Sequence, residues 1–337
     1  MVNHSQQPRQ QHRAVLSDEG ERGVPARRPA PGPIAILPEP QPQFAAAVEQ
    51  AGGTVDVLSA ETRGLIWLSY ARAAELGDVL AQNPQIAWVQ LPWAGVDAFS
   101  AVLARHQRDD LLVTSAKGAY AQPVAEHALA LILASLRLLP QRARALSWNA
   151  EPAGTSLYGR TVLIVGAGGI ALELIRLLEP FGTRIVVVRR SSTAVPGAER
   201  TVSIDSLMSE LPHADVVVLA AALTSDSRHL IGARQLDTMK PHAHLVNIAR
   251  GPLIDTDALV ATLASGAIAG AALDVTEPEP LPDGHPLWSE PRCLITPHMA
   301  DTPEMTAPLL AERIRLNVAA FLGNGRFVGV VDPAAGY

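Results

Sequence analysis

The chain has 337 residues, enough for two domains of ordinary size, and its 48% hydrophobic and 18% charged content is that of a compact enzyme. A net charge of −6 gives no electrostatic reason to expect nucleic acid or a membrane surface as partner. The single cysteine, Cys293, excludes an intrachain disulfide and a cysteine metal cluster, and its setting in Cys293-Leu294-Ile295 predicts a buried thiol; no metal site is expected.

Residues 1–32 are rich in Gln, Pro, Arg and Ser and carry no aromatic side chain, so they are expected to form a disordered tail. No secretory pattern and no uninterrupted apolar run of about 18 residues is present, and the expected compartment is the cytoplasm. A buried strand at 33–37 opens an alternation of elements: helix 43–51, strand 54–58, strand 64–69, helix 71–82, strand 86–91 and strand 111–115. A long apolar helix follows from about Val124 to about Leu139.

The stretch from Thr161 to Ala171 is an apolar strand running into Gly166-Ala167-Gly168-Gly169-Ile170 and then a helix, whose apolar face is Ile170, Leu174, Leu177, Leu178 and Phe181. A strand, a glycine turn and a helix in this order hold the pyrophosphate of a dinucleotide, with Ala171 as the small third residue. Gly182 ends the helix, and 184–188 reads as the second strand. Where an NAD site ends that strand with an acid, this chain has Arg189, followed by Arg190 and Ser191. A guanidinium suits a 2′-phosphate rather than a ribose hydroxyl, so NADP(H) is expected, with NAD(H) possible. Further strands are expected at 215–219, 243–248, 268–273 and 293–296, with helices at 255–265 and about 304–322.

Repeated strand–helix units give an α/β protein of two doubly wound, parallel-sheet, Rossmann-like domains. A tail (1–32) precedes the first part of the substrate domain (33–125). The nucleotide domain (126–296) is inserted, and a C-terminal helix (297–331) returns to the substrate domain. The active site is expected in the cleft between domains, at the carboxyl ends of the strands. Three polar residues stand just past buried strands there: Arg250 after Leu245–Ala249, an acid of the Glu277-Pro278-Glu279-Pro280 run, and His298 after Thr296-Pro297.

These segments resemble the D-isomer-specific 2-hydroxyacid dehydrogenases, the group that includes glyoxylate/hydroxypyruvate reductases. The likeness runs from about Ile34 to Val331 and rests on Val246-Asn247-Ile248-Ala249-Arg250-Gly251, Ala272-Leu273-Asp274-Val275 with Glu279-Pro280-Leu281-Pro282, and Thr296-Pro297-His298. It implies Arg250, Glu279 and His298 as the catalytic set, with Glu277 the competing carboxylate. It assigns Asp274 to the nicotinamide carboxamide, with Thr224 and Ile248 as further cofactor contacts. The amides of Ala94 and Gly95, in Trp93-Ala94-Gly95-Val96-Asp97, would take the substrate carboxylate together with Arg250. Glu126 and His127 are read as structural. Trp93 stands where a small residue is usual, which suggests a bulkier or more apolar substrate pocket.

The implied reaction is NADPH-dependent reduction of a small 2-keto acid to the D-2-hydroxy acid. Arg250 polarises the ketone, His298 is the general acid and Glu279 orients it. Phosphite oxidation and a non-catalytic, dinucleotide-sensing corepressor role are the alternatives. The resemblance also implies a homodimer formed through the nucleotide domain, and the segment from about Leu129 to Leu146, apolar on more than one face, agrees with it.

Overall fold

The computed structural model describes residues 28–148 and 152–332. Most of the expected tail therefore lies outside the described residues. Its last part is packed, since Pro29 is buried and the Arg28 guanidinium donates to the Gly325 carbonyl at 2.6 Å. Residues just ahead of the first strand are thus packed on the fold. The chain forms two compact units, one built from residues up to Tyr120 together with those from Thr302 onward, the other from Ala121–Asp301.

The first unit holds a four-stranded parallel sheet in the order β1 (Ile34–Leu37), β2 (Gly64–Trp67), β3 (Trp88–Gln90) and β4 (Leu112–Thr114). One face packs on helices Ala73–Gln82 and Ser100–Arg105 through Leu65, Trp67, Leu76, Leu80, Val89 and Phe99. Helix Pro42–Gln50 packs against the C-terminal helix Pro303–Phe321. The expected strand 54–58 shrinks to an isolated bridge between Val55 and Ile34. Local bonds win there: the Asp56 carboxylate accepts from the Val57 amide at 2.8 Å, and the Ser59 amide donates to the Thr62 hydroxyl at 3.0 Å.

The second unit holds a seven-stranded, fully parallel sheet. Its strands are β5 (Thr161–Val165), β6 (Arg184–Arg189), β7 (Arg200–Ser203), β8 (Val216–Leu219), β9 (His244–Asn247), β10 (Gly270–Leu273) and β11 (Cys293–Ile295). They lie in the order β11-β10-β9-β8-β5-β6-β7. Strand succession reverses between β5 and β8, which is the topological switch point of a dinucleotide fold. Strand β7 escapes a reading of the sequence because it is a short edge strand with no apolar run. The long helix spans Ala121–Leu136, ending earlier than expected where Leu138 adopts φ 53° and the Leu136 carbonyl accepts from Thr155 at 2.7 Å. Cys293 is buried, and burial pushes its thiol up to about 12, so it is inert. Among the described residues no helix is long and apolar enough to cross a membrane.

Candidate active site

Strand β5 leads into the glycine turn, and the reason for each glycine is visible. Gly166 has φ 112°, and a Cβ on it would overlap the Ala220 carbonyl just past β8. Only glycine lets the two strands close at the switch point. Ala171 is fully buried, which seats the helix Gly169–Leu178 tightly on the sheet. Gly168 differs, for a Cβ there would meet nothing within 4 Å. The first intrahelical bond runs from Leu172 to the Gly168 carbonyl at 3.0 Å, so the amides of Gly169 and Ile170 face the open space ahead of the helix. A positive helix end, an open approach and bare backbone suit a pyrophosphate.

Arg189 ends β6 and lies 3.5 Å from the Thr193 carbonyl, Arg190 is exposed, and the Ser191 hydroxyl donates to that of Thr193 at 3.2 Å. This turn, Arg189-Arg190-Ser191-Ser192-Thr193, carries two cations and three hydroxyls and no carboxylate, a donor set for an anion. Past β8, the Thr224 amide donates to the Ser227 hydroxyl at 2.7 Å, closing a turn, and Ile248 is buried beyond β9.

Three neighbouring strands of the same sheet deliver the polar groups. After β9, the Asn247 side chain accepts from the Ala249 amide at 3.0 Å and donates to the Arg250 carbonyl at 2.9 Å, which fixes the loop. The Arg250 guanidinium donates to the Ala249 carbonyl at 2.7 Å. A Cβ on Gly251 would overlap the Thr276 carbonyl, so this loop lies directly on the one that follows β10. After β11, His298 adopts φ 53°, a left-handed conformation costly for a side chain with a Cβ. Its amide is held by the carbonyls of Asp274 and Thr296 at 2.7 and 2.8 Å. Its Nδ1 meets Glu279 Oε1 at 2.6 Å, and both side chains are partly exposed.

The two acids of the Glu277–Pro280 run are thereby separated. Glu277 is held by Arg228 at 2.5 Å and by His229 Nε2 at 2.8 Å. Burial pushes its carboxyl up, but the bonds from His229 and Arg228 outweigh this and hold it below the usual range. Asp274 is buried, and its Oδ1 accepts from the Thr296 hydroxyl at 2.7 Å and the Met299 amide at 3.0 Å, with His127 Nε2 at 3.3 Å. Burial again raises this carboxyl, and the bonds from His127, Thr296 and Met299 together bring it below its ordinary value. His127 Nε2 also lies 2.9 Å from the Thr296 hydroxyl, so His127, Thr296 and Asp274 form one network beneath His298. Asp301, three residues past His298, was not marked by any motif. Burial pushes its carboxyl up to about 6; His298 opposes this and Asp274 adds to it.

Ala94 and Gly95 lie in the first unit, in the turn after β3. Neither amide donates to a protein group among the described residues. Trp93 is 36% exposed and packs edge-on against Tyr120 with ring centroids 5.5 Å apart. The Tyr120 hydroxyl donates to the Pro92 carbonyl at 2.6 Å.

The strand order and glycine turn define a dinucleotide-binding protein of the doubly wound class. Residues 129–300 match the family model of the D-isomer specific 2-hydroxyacid dehydrogenase, NAD binding domain. The chain is 39% identical over 296 residues to an uncharacterized protein in the proB 3′ region of Corynebacterium melassecola, covering 86% of this chain and 95% of the relative. It is 34% identical over 255 residues to a glyoxylate reductase of Aeropyrum pernix, covering 72% of this chain and 76% of that one. A crystal structure of a D-isomer specific 2-hydroxyacid dehydrogenase from Xanthobacter autotrophicus Py2, in complex with NADPH and MES, superposes with a TM-score of 0.75. That comparison has 28% identity and covers 91% of this chain and all 100% of the other. The chain belongs to the D-isomer specific 2-hydroxyacid dehydrogenases, a family of NAD(P)-dependent oxidoreductases.

Proposed function

We propose that this protein reduces a small 2-keto acid to the D-2-hydroxy acid with NADPH. The observation that carries the reading is the 2.6 Å contact of His298 Nδ1 with Glu279, placed at the same sheet edge as the glycine turn and Arg250. A bound dihydronicotinamide supplies the hydride; the rest is the work of the side chains. The amides of Ala94 and Gly95, together with Arg250, hold the substrate carboxylate. Arg250 also draws electron density from the ketone and stabilises the oxyanion as it forms. His298 donates a proton to that oxygen from Nε2, because Glu279 occupies Nδ1 and fixes the ring. Glu277 is left out of this chemistry by its pairing with Arg228 and His229. Asp274 positions the His298 loop through its carbonyl and Oδ1, and its carboxylate is the proposed partner of the nicotinamide carboxamide.

Preference for NADPH is supported by the cationic turn Arg189–Ser191, where the ribose hydroxyl of NAD would find no carboxylate. Thr224 and Ile248 complete the proposed cofactor contacts. The exposed face of Trp93 favours substrates with an apolar side chain. A homodimer is supported by the exposed apolar Leu139, Leu146 and Trp148 past the long helix. The cytoplasm, where NADPH is maintained and an unpaired thiol such as Cys293 persists, is the proposed compartment. The test is NADPH oxidation with glyoxylate, hydroxypyruvate, phenylpyruvate and a branched 2-keto acid, with chiral analysis of the product. Consumption of NADPH yielding the D-hydroxy acid is expected; no turnover with any of them would refute the reading.

A further inference from the structure

Arg313, on the helix Pro303–Phe321, is 1% exposed and forms no ion pair among the described residues. Other buried carboxylates face cations: Glu173 pairs with Arg176, Glu210 with Arg200 and Asp215 with Lys240. Burial lowers the Arg313 guanidinium only to about 10, so it stays cationic at neutral pH. An isolated buried cation is costly. Its compensation is backbone alone: Nη1 donates to the Ser115 carbonyl at 2.6 Å and Nη2 to the Lys117 carbonyl at 2.7 Å, while Nε has no partner. Gly329, at φ 72°, leaves room for this, since a Cβ there would overlap both Nη1 and the Ser115 carbonyl.

What lies beyond those carbonyls gives the arrangement its direction. The Ser115 carbonyl belongs to the same peptide group as the Ala116 amide, and that amide donates to the Trp93 carbonyl at 3.0 Å. The Trp93 carbonyl in turn belongs to the same peptide group as the Ala94 amide. A cation on the first carbonyl polarises each peptide in sequence and makes the last N–H a stronger donor, because chained hydrogen bonds reinforce one another. The same bonds fix the turn, with the Leu91 amide donating to the Thr114 carbonyl at 2.7 Å and the Ser115 amide to the Gly329 carbonyl at 2.7 Å.

We infer that Arg313 is a positioning residue for substrate binding, whose charge is relayed through the Ser115–Ala116 and Trp93–Ala94 peptides to strengthen the Ala94 amide as a carboxylate donor. The inference rests on the proposed role of Ala94 and Gly95. It adds a residue that touches no substrate yet sets affinity for the acid group.

The test measures binding of oxalate to the NADPH complex, and steady-state kinetics with the best 2-keto acid, in Arg313→Lys and Arg313→Met. Loss of the 10–30% or so by which chained hydrogen bonds strengthen one another predicts that Arg313→Met weakens oxalate and raises KM by up to about fourfold. Arg313→Lys, which keeps the charge but lacks the fork, should fall between Met and wild type. Affinity for NADPH and kcat should change much less than KM. The amide proton resonances of Ala116 and Ala94 should move upfield in both variants, a shift that a merely stabilising arginine would not produce. If the Met variant fails to fold, the Lys variant carries the same comparisons. Unmoved amide resonances, unchanged oxalate affinity, or NADPH affinity falling in step with oxalate would each overturn the inference. Ala94→Pro separates the underlying reading: if oxalate binds it as it binds wild type, the carboxylate role of this turn fails, whatever Arg313 does to the amide resonances.

Discussion

Gly251→Ala isolates what holds Arg250 in place. Gly251 follows Arg250 directly, and a Cβ on it would sit inside the Thr276 carbonyl group. The obstacle is backbone, so no side-chain rotation relieves it, and the two loops must part. One carries Arg250, and the other carries Glu279, three residues beyond Thr276. A separation of roughly 1 Å between two groups proposed to act on one substrate should cost on the order of a hundredfold in rate. Overpacking of this kind costs about 1–3 kcal/mol of stability, which lowers the melting temperature without unfolding a domain of ordinary stability. Cofactor binding at the glycine turn should persist. The assay is kcat/KM for 2-keto acid reduction, alongside a thermal melt and NADPH titration. A folded variant that binds NADPH and keeps wild-type kcat/KM would refute the argument that Gly251 sets the register of Arg250.

Gly168→Ala is the converse case: nothing in the protein opposes a Cβ there, so the melting temperature should hold while NADPH affinity falls, measured by titration in the absence of substrate. Loss of one charge-assisted bond, worth roughly 1.5–3 kcal/mol, should weaken NADPH by about ten- to a hundredfold, and Arg189→Asp, which adds repulsion against the 2′-phosphate, should go further and move preference toward NADH. The readout is kcat/KM with both cofactors at fixed salt, and an unmoved preference would count against Arg189. Asp301→Asn tests a pH effect. Burial raises the Asp301 carboxyl from 3.8 to about 6, so the folded state holds its proton more tightly, and this stability is present below 3.8 and lost as pH rises through about 6. Chemical denaturation of the wild type across that window should show a decline that the Asn variant lacks.

The glycine turn and the strand-end positions of Arg250, Glu279 and His298 were legible because each is a local string in a recognisable context. What was not legible depends on contacts across long stretches of chain. Two carboxylates in Glu277-Pro278-Glu279 look alike in sequence, and they differ because Arg228 and His229, far upstream, take Glu277. The network of His127, Thr296 and Asp274 joins residues separated by up to 169 positions, and only the Thr of Thr296-Pro297-His298 hinted at it. Arg313 reads as an ordinary cation on an amphipathic helix, and its burial follows from where that helix packs. Strand β7 lacked an apolar run, and the expected strand at 54–58 yielded to side-chain bonds from Asp56 and Thr62.

In the reduction proposed above, His298 delivers the proton that completes the reaction. The direct measurement is kcat for reduction of a 2-keto acid by wild type and His298→Ala, each saturated with NADPH. NADPH should bind both proteins equally, and His298→Ala should lose about 10²–10⁴-fold in kcat, the usual contribution of a positioned general acid. Retention of wild-type turnover by His298→Ala would contradict it.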